Sequence, residues 1–192
     1  MSESDLLSTL PDTFRFGEAL ERINERQFRR LLSEGRITRL ARGIYRKTSW
    51  TGDDDLVEIA AKSTRATIAL RSALARHDLI DDIPSALDIA VPRGAWTPAL
   101  TIPINWHHFD RATFDVGRED LNIGDQRSIG IYSAARSIVD AFRLRHLEGE
   151  DMANEALKQW LRRGGQPSAL LEIAKSFPKA RSALHNTLSI LL

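Results

Sequence analysis

The chain has 192 residues, of which 42% are hydrophobic and 28% charged, and its formal net charge at pH 7 is +1. This composition is typical of a globular protein, and the length suits one large domain or two small ones. The chain contains no cysteine, which excludes disulfides and thiolate metal sites.

No apolar run reaches the length of about 18 residues that a membrane span needs. The first ten residues, MSESDLLSTL, lack the basic start of a signal peptide. With the absence of cysteine, this leads us to expect a cytoplasmic protein that does not associate with a membrane.

Two short helices are predicted at the start of the chain. Residues 4–10 form the first, which Pro11 ends because proline cannot continue a helix. The second begins near Phe16, and Leu20 and Ile23 follow at helical spacing.

The third predicted helix has signals at both ends. Asn24 can cap its first turn, and Gln27 can bond back to the Asn24 backbone as in a capping box. Ile23 and Phe28 occupy the positions of a hydrophobic staple. Gly35 suits the left-handed residue that ends a helix.

This helix is predicted to have an apolar and a basic side. The apolar side carries Phe28, Leu31 and Leu32. The outer side carries three arginines and a glutamine, which are Arg26, Gln27, Arg29 and Arg30.

A hairpin is predicted directly after the helix. Residues 36–41 and 44–47 have strand character, and Arg42-Gly43 between them suits a two-residue turn. The order of three helices and a hairpin predicts a winged helix-turn-helix, in which the last helix enters the major groove of DNA.

Positive charge is concentrated on this helix and hairpin. Residues 22–47 contain nine basic and two acidic residues, a net charge of +7, which leaves −6 for the remainder of the chain. One sign of charge on an ordered element is the expected footprint of a duplex-binding surface, although charge runs can also be merely solvated. The predicted DNA-binding residues are Arg26, Gln27, Arg29, Arg30, Arg36, Arg39, Arg42 and Lys47.

A change to polar residues at 50–55 predicts a domain boundary, with residues 1–50 as the DNA-binding domain and 51–192 as a second domain. Three consecutive acids, Asp53, Asp54 and Asp55, favour a helix N-terminus over a metal site, because acids complement the helix dipole.

The second domain is predicted to be mixed α/β and to end in a helical, bundle-like segment. Strand patterns occupy residues 87–91, 100–106 and 127–132. Apolar residues at helical spacing predict one helix that includes Leu56 and Ile59 and another from Leu70 to His77, both before these strands. Further helices are predicted after the strands. Ser133 caps the first of the later helices, Gly164-Gly165 ends the second, and Pro178 opens the last.

No catalytic set is evident. His107 and His108 would point to opposite faces of a strand and cannot easily share one metal. His77 lies on an apolar stripe, and Asp88 lacks the Glu-x-Lys partner of a nuclease site. Phosphate loops, dinucleotide glycine motifs and nucleophile elbows are also missing from the sequence. We expect a protein that is not an enzyme, without cofactor or metal.

Four segments occur in the order seen in AbiEi-type antitoxins, which the chain resembles over residues 14–161. They are RLLSEGRITRLARGIY at 30–45, RSALARHDLI at 71–80, LDIAVPRG at 87–94 and IYSAARSIVDAFRL at 131–144. Two positions depart from the pattern, because Ser137 stands in place of threonine and Asp78 in place of glycine.

The resemblance implies a winged-helix DNA-binding domain joined to an antitoxin domain. Such proteins repress their own toxin–antitoxin operon by binding double-stranded operator DNA, and they counteract a nucleotidyltransferase-like toxin encoded beside them, in a type IV system. The alternative interpretation is a stand-alone winged-helix transcriptional regulator whose C-terminal domain senses a ligand or dimerises.

Overall fold

The computed structural model describes residues 3–49, 53–82, 84–124 and 127–191. This part of the chain has a mixed α/β fold with two sheets, as predicted. The helices are α1 Glu3–Thr9, α2 Phe16–Leu20, α3 Glu25–Ser33, α4 Asp54–Lys62, α5 Leu70–Arg76, α6 Ala134–Arg143, α7 Arg145–Glu148, α8 Glu150–Arg162, α9 Pro167–Ala174 and α10 Pro178–Leu191. The strands are β1 Thr13–Arg15, β2 Ile37–Ala41, β3 Ile44–Lys47, β4 Thr67–Ile68, β5 Leu87–Pro92, β6 Ile104–Phe109, β7 Arg118–Gly124 and β8 Arg127–Tyr132.

The chain divides into two compact units. The N-terminal unit comprises Met1–Thr64 and Asn122–Ile129, and the C-terminal unit comprises Arg65–Leu121 and Gly130–Leu192. The predicted boundary after residue 50 falls on residues outside the described ranges. The N-terminal unit continues past this boundary and includes α4. The division of functions at residue 50 stays a prediction.

The N-terminal unit begins with the element order helix, strand, helix, helix, hairpin. Its three strands form an antiparallel sheet in the order β1-β3-β2. Strand β1 was not expected from the sequence, because three residues are too few to show alternation. It pairs with β3 and places Phe14 opposite Tyr45.

The predicted caps of α3 are present. The Asn24 side chain accepts a hydrogen bond from the Gln27 backbone at 2.9 Å, and the Gln27 side chain accepts one from the Asn24 backbone at the same distance. At the other end Gly35 has φ +66°. The backbone N–H of Arg36 donates to Leu31, which completes a Schellman-type ending. Both ends of the helix are therefore set by local hydrogen bonds.

Helix α3 buries a narrower face than the sequence predicted. Phe28 and Leu31 are buried, but Leu32 is 38% exposed, so its assignment to the core was wrong. Leu32 follows Leu31 by one position, which is a rotation of about 100° around the helix. The core beneath α3 is instead completed by residues from the other elements of the unit, namely Leu6, Leu10, Phe14, Ala19, Ile23 and Ile37.

The second sheet has the strand order β6-β5-β4-β8-β7. Strand β5 is parallel to β6 and antiparallel to β4, and β4 is parallel to β8. The predicted strand at 100–106 was placed too early, because β6 begins only at Ile104. Pro103, which has no backbone donor, immediately precedes it.

Helix α6 is the centre of the C-terminal unit and packs against α5, α8, α9 and α10. Ser133 caps it by accepting from the Arg136 backbone at 3.2 Å, as predicted. The predicted apolar side chains Ile138, Val139 and Phe142 are all buried in the core of this unit.

Charged side chains are also buried in α6. Arg136 and Asp140 are 0% exposed, and the Arg136 Nε donates to Asp140 Oδ2 at 2.9 Å. The Arg136 guanidinium also donates to the Thr113 and Val116 carbonyls. It lies 4.2 Å from the ring centroid of Tyr132. One arginine thus joins α6, the end of β8 and the loop before β7.

We expect Asp140→Asn to destabilise the protein strongly. Removing one partner of a buried ion pair leaves the other charge uncompensated, which costs roughly 3–5 kcal/mol. The matched control is Glu25→Gln, which breaks an exposed pair with Arg29 and should change the free energy of unfolding by less than about 1 kcal/mol. Urea unfolding followed by circular dichroism measures both. Equal stabilities for the two variants would contradict this role for Asp140.

Candidate nucleic-acid interface

The outer face of α3 presents three arginines to solvent. Arg26, Arg29 and Arg30 are all exposed. Arg29 Nη2 lies 2.6 Å from Glu25 Oε1, and Arg30 Nε lies 3.7 Å from Glu34 Oε1. Both contacts are surface i,i+4 pairs, which are worth only tenths of a kcal/mol and open readily. The guanidinium groups of Arg29 and Arg30 can therefore exchange these partners for others.

Arg26 differs from its two neighbours. Within the described part of the chain it has neither a hydrogen-bond nor an ion-pair partner. Gln27 is half-buried, and its Oε1 accepts from the Asn24 backbone. The side-chain oxygen of Gln27 is thus used in the capping box. The Nε2 group of Gln27 can still donate hydrogen bonds to a ligand.

The hairpin carries further arginines. Arg36, Arg39 and Arg42 are all exposed. Arg36 lies at the base of the hairpin, Arg39 on strand β2 and Arg42 in the turn. Gly43 in the turn has φ +76°, a conformation that glycine adopts without strain. A bulge between Arg39 and Ala41 interrupts the β2–β3 register, and Arg39 Nε donates to the Ala41 carbonyl at 3.3 Å.

Two basic residues of β3 are held by acids. Lys47 Nζ lies 3.1 Å from Asp12 Oδ1, and the Lys47 side chain is only 16% exposed. Arg46 Nη1 lies 3.0 Å from Asp54 Oδ1. Lys47, predicted as a phosphate contact, is thus less accessible than the arginines of the hairpin. The pairing of Lys47 with Asp12 is not evident in the sequence, because the two are 35 residues apart.

The base of the hairpin is tied to the end of α3. Thr48 Oγ1 donates to the Gly35 carbonyl at 2.5 Å, and the Thr48 backbone donates to Arg36 at 2.9 Å. These two hydrogen bonds help to hold the hairpin against the end of the helix. Thr48 is a positioning residue that the sequence patterns did not reveal, since a single threonine after a strand carries no motif.

Two of the three acids at the start of α4 have local partners. Asp53 accepts from the Leu56 backbone at 3.2 Å as the N-cap, and Asp54 pairs with Arg46. Burial, followed by the negative charges of Asp53, Asp54 and Glu58, raises the pKa of Asp55. No set of three metal-ligating side chains occurs among the residues that the structure describes.

Two of the three histidines discussed above, His77 and His107, have hydrogen-bond partners within the protein. His77 Nε2 lies 2.8 Å from the Tyr132 carbonyl, as expected for a hydrogen-bonded boundary histidine. His107 and His108 lie on β6, which is an edge strand in the part of the chain that the structure describes. His107 Nε2 lies 2.9 Å from Asp88 Oδ1, a pairing that the sequence analysis missed.

The fold resembles that of a solved crystal structure. This is the structure of RV2827C protein from Mycobacterium tuberculosis, with a TM-score of 0.55 and 14% sequence identity, over 97% of this chain and 79% of that one. At this identity the likeness shows a shared fold alone. No family model and no curated protein matches the chain. The resemblance to AbiEi-type antitoxins therefore stays a prediction.

In the described ranges no helix is both long and apolar enough to cross a membrane.

We expect the outer face of α3 to carry base discrimination. Arg26→Ala or Arg30→Ala should weaken binding to the DNA upstream of the gene, since an arginine on guanine contributes about 1–3 kcal/mol. Gel-shift titration measures the affinity. Arg162→Ala, which removes an exposed arginine from α8, is the control and should bind normally. Unchanged shifts for alanine variants of Arg26, Gln27, Arg29 and Arg30 would remove α3 from the interface.

We expect the hairpin arginines to contact phosphates. Arg42→Ala should lower the slope of log affinity against log salt concentration by about one unit, because one fewer counterion is released. The loss should be equal for operator and random DNA. Arg181→Ala, at an exposed position of α10, should leave the slope unchanged. An Arg42→Ala protein that loses only its preference for the operator would show that the hairpin reads bases.

Proposed function

We propose that this protein is a DNA-binding antitoxin, acting in the cytoplasm, that represses its own toxin–antitoxin operon and neutralises a nucleotidyltransferase-like toxin. The observation that carries the DNA-binding part is the row of exposed arginines on a capped helix joined to a basic hairpin. The element order of the N-terminal unit supports a winged helix-turn-helix, in which α3 enters the major groove and the β2–β3 hairpin is the wing.

In this proposal the two basic elements have different tasks. Side chains on α3 read base edges, where arginine and glutamine make bidentate contacts to guanine and adenine. Wing side chains hold phosphates and set the register of the protein on the duplex. Since Lys47 is paired with Asp12, we assign it the smallest part, and Arg36, Arg39 and Arg42 the larger part.

The antitoxin part of the proposal is supported by the family resemblance and by charge. The residues outside 22–47 carry a net charge of −6. A toxin that handles nucleic acid is expected to present a basic surface, which an acidic partner would attract. Of the acids considered as toxin contacts, Asp53 and Asp54 in the N-terminal unit already have local partners, and Asp82 in the C-terminal unit pairs with Arg71 at 2.9 Å. Asp55 and Asp81 are the exposed acids that remain.

A regulator with a ligand-sensing C-terminal domain is the alternative function. A polar cleft within the C-terminal unit favours it, because a regulator of this kind needs a site for its ligand. Neither function requires a catalytic residue, a cofactor or a metal in this chain.

Co-expression tests the antitoxin proposal directly. The toxin encoded beside this gene is expressed from an independent promoter, with the wild-type protein or with an Arg26→Ala/Arg30→Ala double variant. We expect both proteins to rescue growth, while only the wild type represses a reporter under its own promoter. This result would separate toxin neutralisation from DNA binding.

Failure of rescue by both proteins would contradict the antitoxin proposal, and the alternative regulator would take its place. Where rescue occurs, a pull-down of toxin with the protein distinguishes a stable complex from indirect antagonism.

A further inference from the structure

A polar cleft lies where β5 and β6 begin, within the C-terminal unit. Its volume is about 890 Å³. The polar and aromatic side chains that line it are Arg71, Asp82, Ser85, Asp88, Asn105, Trp106 and His107. This size is within the range of small-molecule sites.

The register of the two strands brings the polar groups together. Strands β5 and β6 are parallel, with Asp88 beside Asn105 and Ala90 beside His107. Since side chains two residues apart share a face, Asp88, Asn105 and His107 lie on the same side of the sheet. Asn105 and His107 belong to β6, which is the edge strand of this sheet among the described residues.

Only one oxygen of the buried Asp88 carboxylate accepts hydrogen bonds from described protein groups. The residue is 5% exposed. Asn105 Nδ2 and His107 Nε2 lie 3.2 and 2.9 Å away, and both bond the same oxygen, Oδ1. The Asp88 backbone is fixed separately, because its N–H donates to Ser72 Oγ at 2.8 Å. Among the described residues no donor bonds Oδ2 of Asp88.

Asp88 has no arginine or lysine partner among the described residues. Arg71 Nη1 instead lies 2.9 Å from Asp82 Oδ2, so these two charges compensate each other. The protein groups that bond the Asp88 carboxylate are the Asn105 amide and the His107 ring. Placing a carboxylate in a secluded site is costly unless a cation or further hydrogen bonds satisfy it.

We propose that the Asp88 cleft binds a cationic group, an ammonium or guanidinium, through a charge-assisted hydrogen bond to Asp88 Oδ2. Such bonds are about twice as strong as neutral ones, and the fixed carboxylate needs no reorganisation to form one. The group belongs either to a small free amine or to a lysine or arginine side chain of a partner protein. The proposal goes beyond DNA binding and antitoxin activity and depends on neither.

Titration of the isotope-labelled full-length protein with methylguanidinium chloride tests this site. Nuclear magnetic resonance signals of the Asn105 side-chain amide and the His107 ring should shift, with a dissociation constant in the millimolar range expected for so small a ligand. Methylurea has a similar shape without the charge and should cause no saturable shift. Total ionic strength is held constant with sodium chloride.

Asp88→Asn should weaken binding of methylguanidinium at least about ten-fold, as expected for losing a hydrogen bond to a charged group. The matched control is Glu119→Gln, which removes the same charge from an exposed position on β7 and should bind like the wild type. The comparison of methylguanidinium with methylurea uses the wild-type protein alone, so it decides the question even where Asp88→Asn fails to fold. Equal shifts with both probes would overturn the proposal, as would equal losses of affinity in the two variants.

A blocked Gly-Arg-Gly peptide identifies the source of the cation. Binding at least as tight as that of methylguanidinium assigns the site to a partner's side chain, and binding of methylguanidinium alone assigns it to a small amine. Operator binding by Asp88→Asn should be unchanged in a gel shift. A failed titration with intact operator binding would therefore refute the cleft proposal and leave the proposed function standing.

Discussion

The C-terminal unit depends on one buried guanidinium. The Arg136 side chain is fully buried. Its guanidinium bonds to Asp140 on the same helix and to the Thr113 and Val116 carbonyls of the loop before β7. It also lies 4.3 Å from the ring centroid of Phe177. Burial raises the pKa of the neighbouring Tyr132, which stays a neutral donor to the Phe114 carbonyl at 2.9 Å. Gly117, with φ +67°, lies so close to Arg136 that a side chain there would collide with it. The sheet, the loop and the helices are thus assembled around a charge that cannot be left unpaired.

The proposed DNA-binding surface is organised differently, by short-range contacts. Its helix is capped at both ends by hydrogen bonds between residues no more than five positions apart, and its hairpin turns on Arg42-Gly43. Such signals are legible in a sequence because the partners are neighbours. This explains why α3, β2 and β3 were predicted almost to the residue, while β4, a two-residue strand defined only by pairing with β5 and β8, was not.

The errors share the same physical origin. The exposure of Leu32, the late start of β6 and the pairing of Lys47 with Asp12 all depend on distant parts of the chain. The Asp88–His107 contact is another case, because 19 residues separate the two and only the strand register joins them. Periodicity identifies which face of an element is apolar, but it cannot identify the neighbour that a polar side chain will meet.

The exposed Glu25–Arg29 pair also affects how the proposed interface would meet DNA. Glu25 occupies Arg29 with a carboxylate at 2.6 Å, so in the free protein this arginine already has an anion beside it. A phosphate must compete with that carboxylate before it can use Arg29, whereas Arg26 faces no such competitor among the described residues. Arg26 and Arg29, one turn apart, are therefore not equally available to the phosphates of an approaching duplex. A DNA phosphate would bind Arg26 first, and Arg29 would bind one only after exchanging Glu25 for it. This exchange weakens the attraction of Arg29 for polyanions in general.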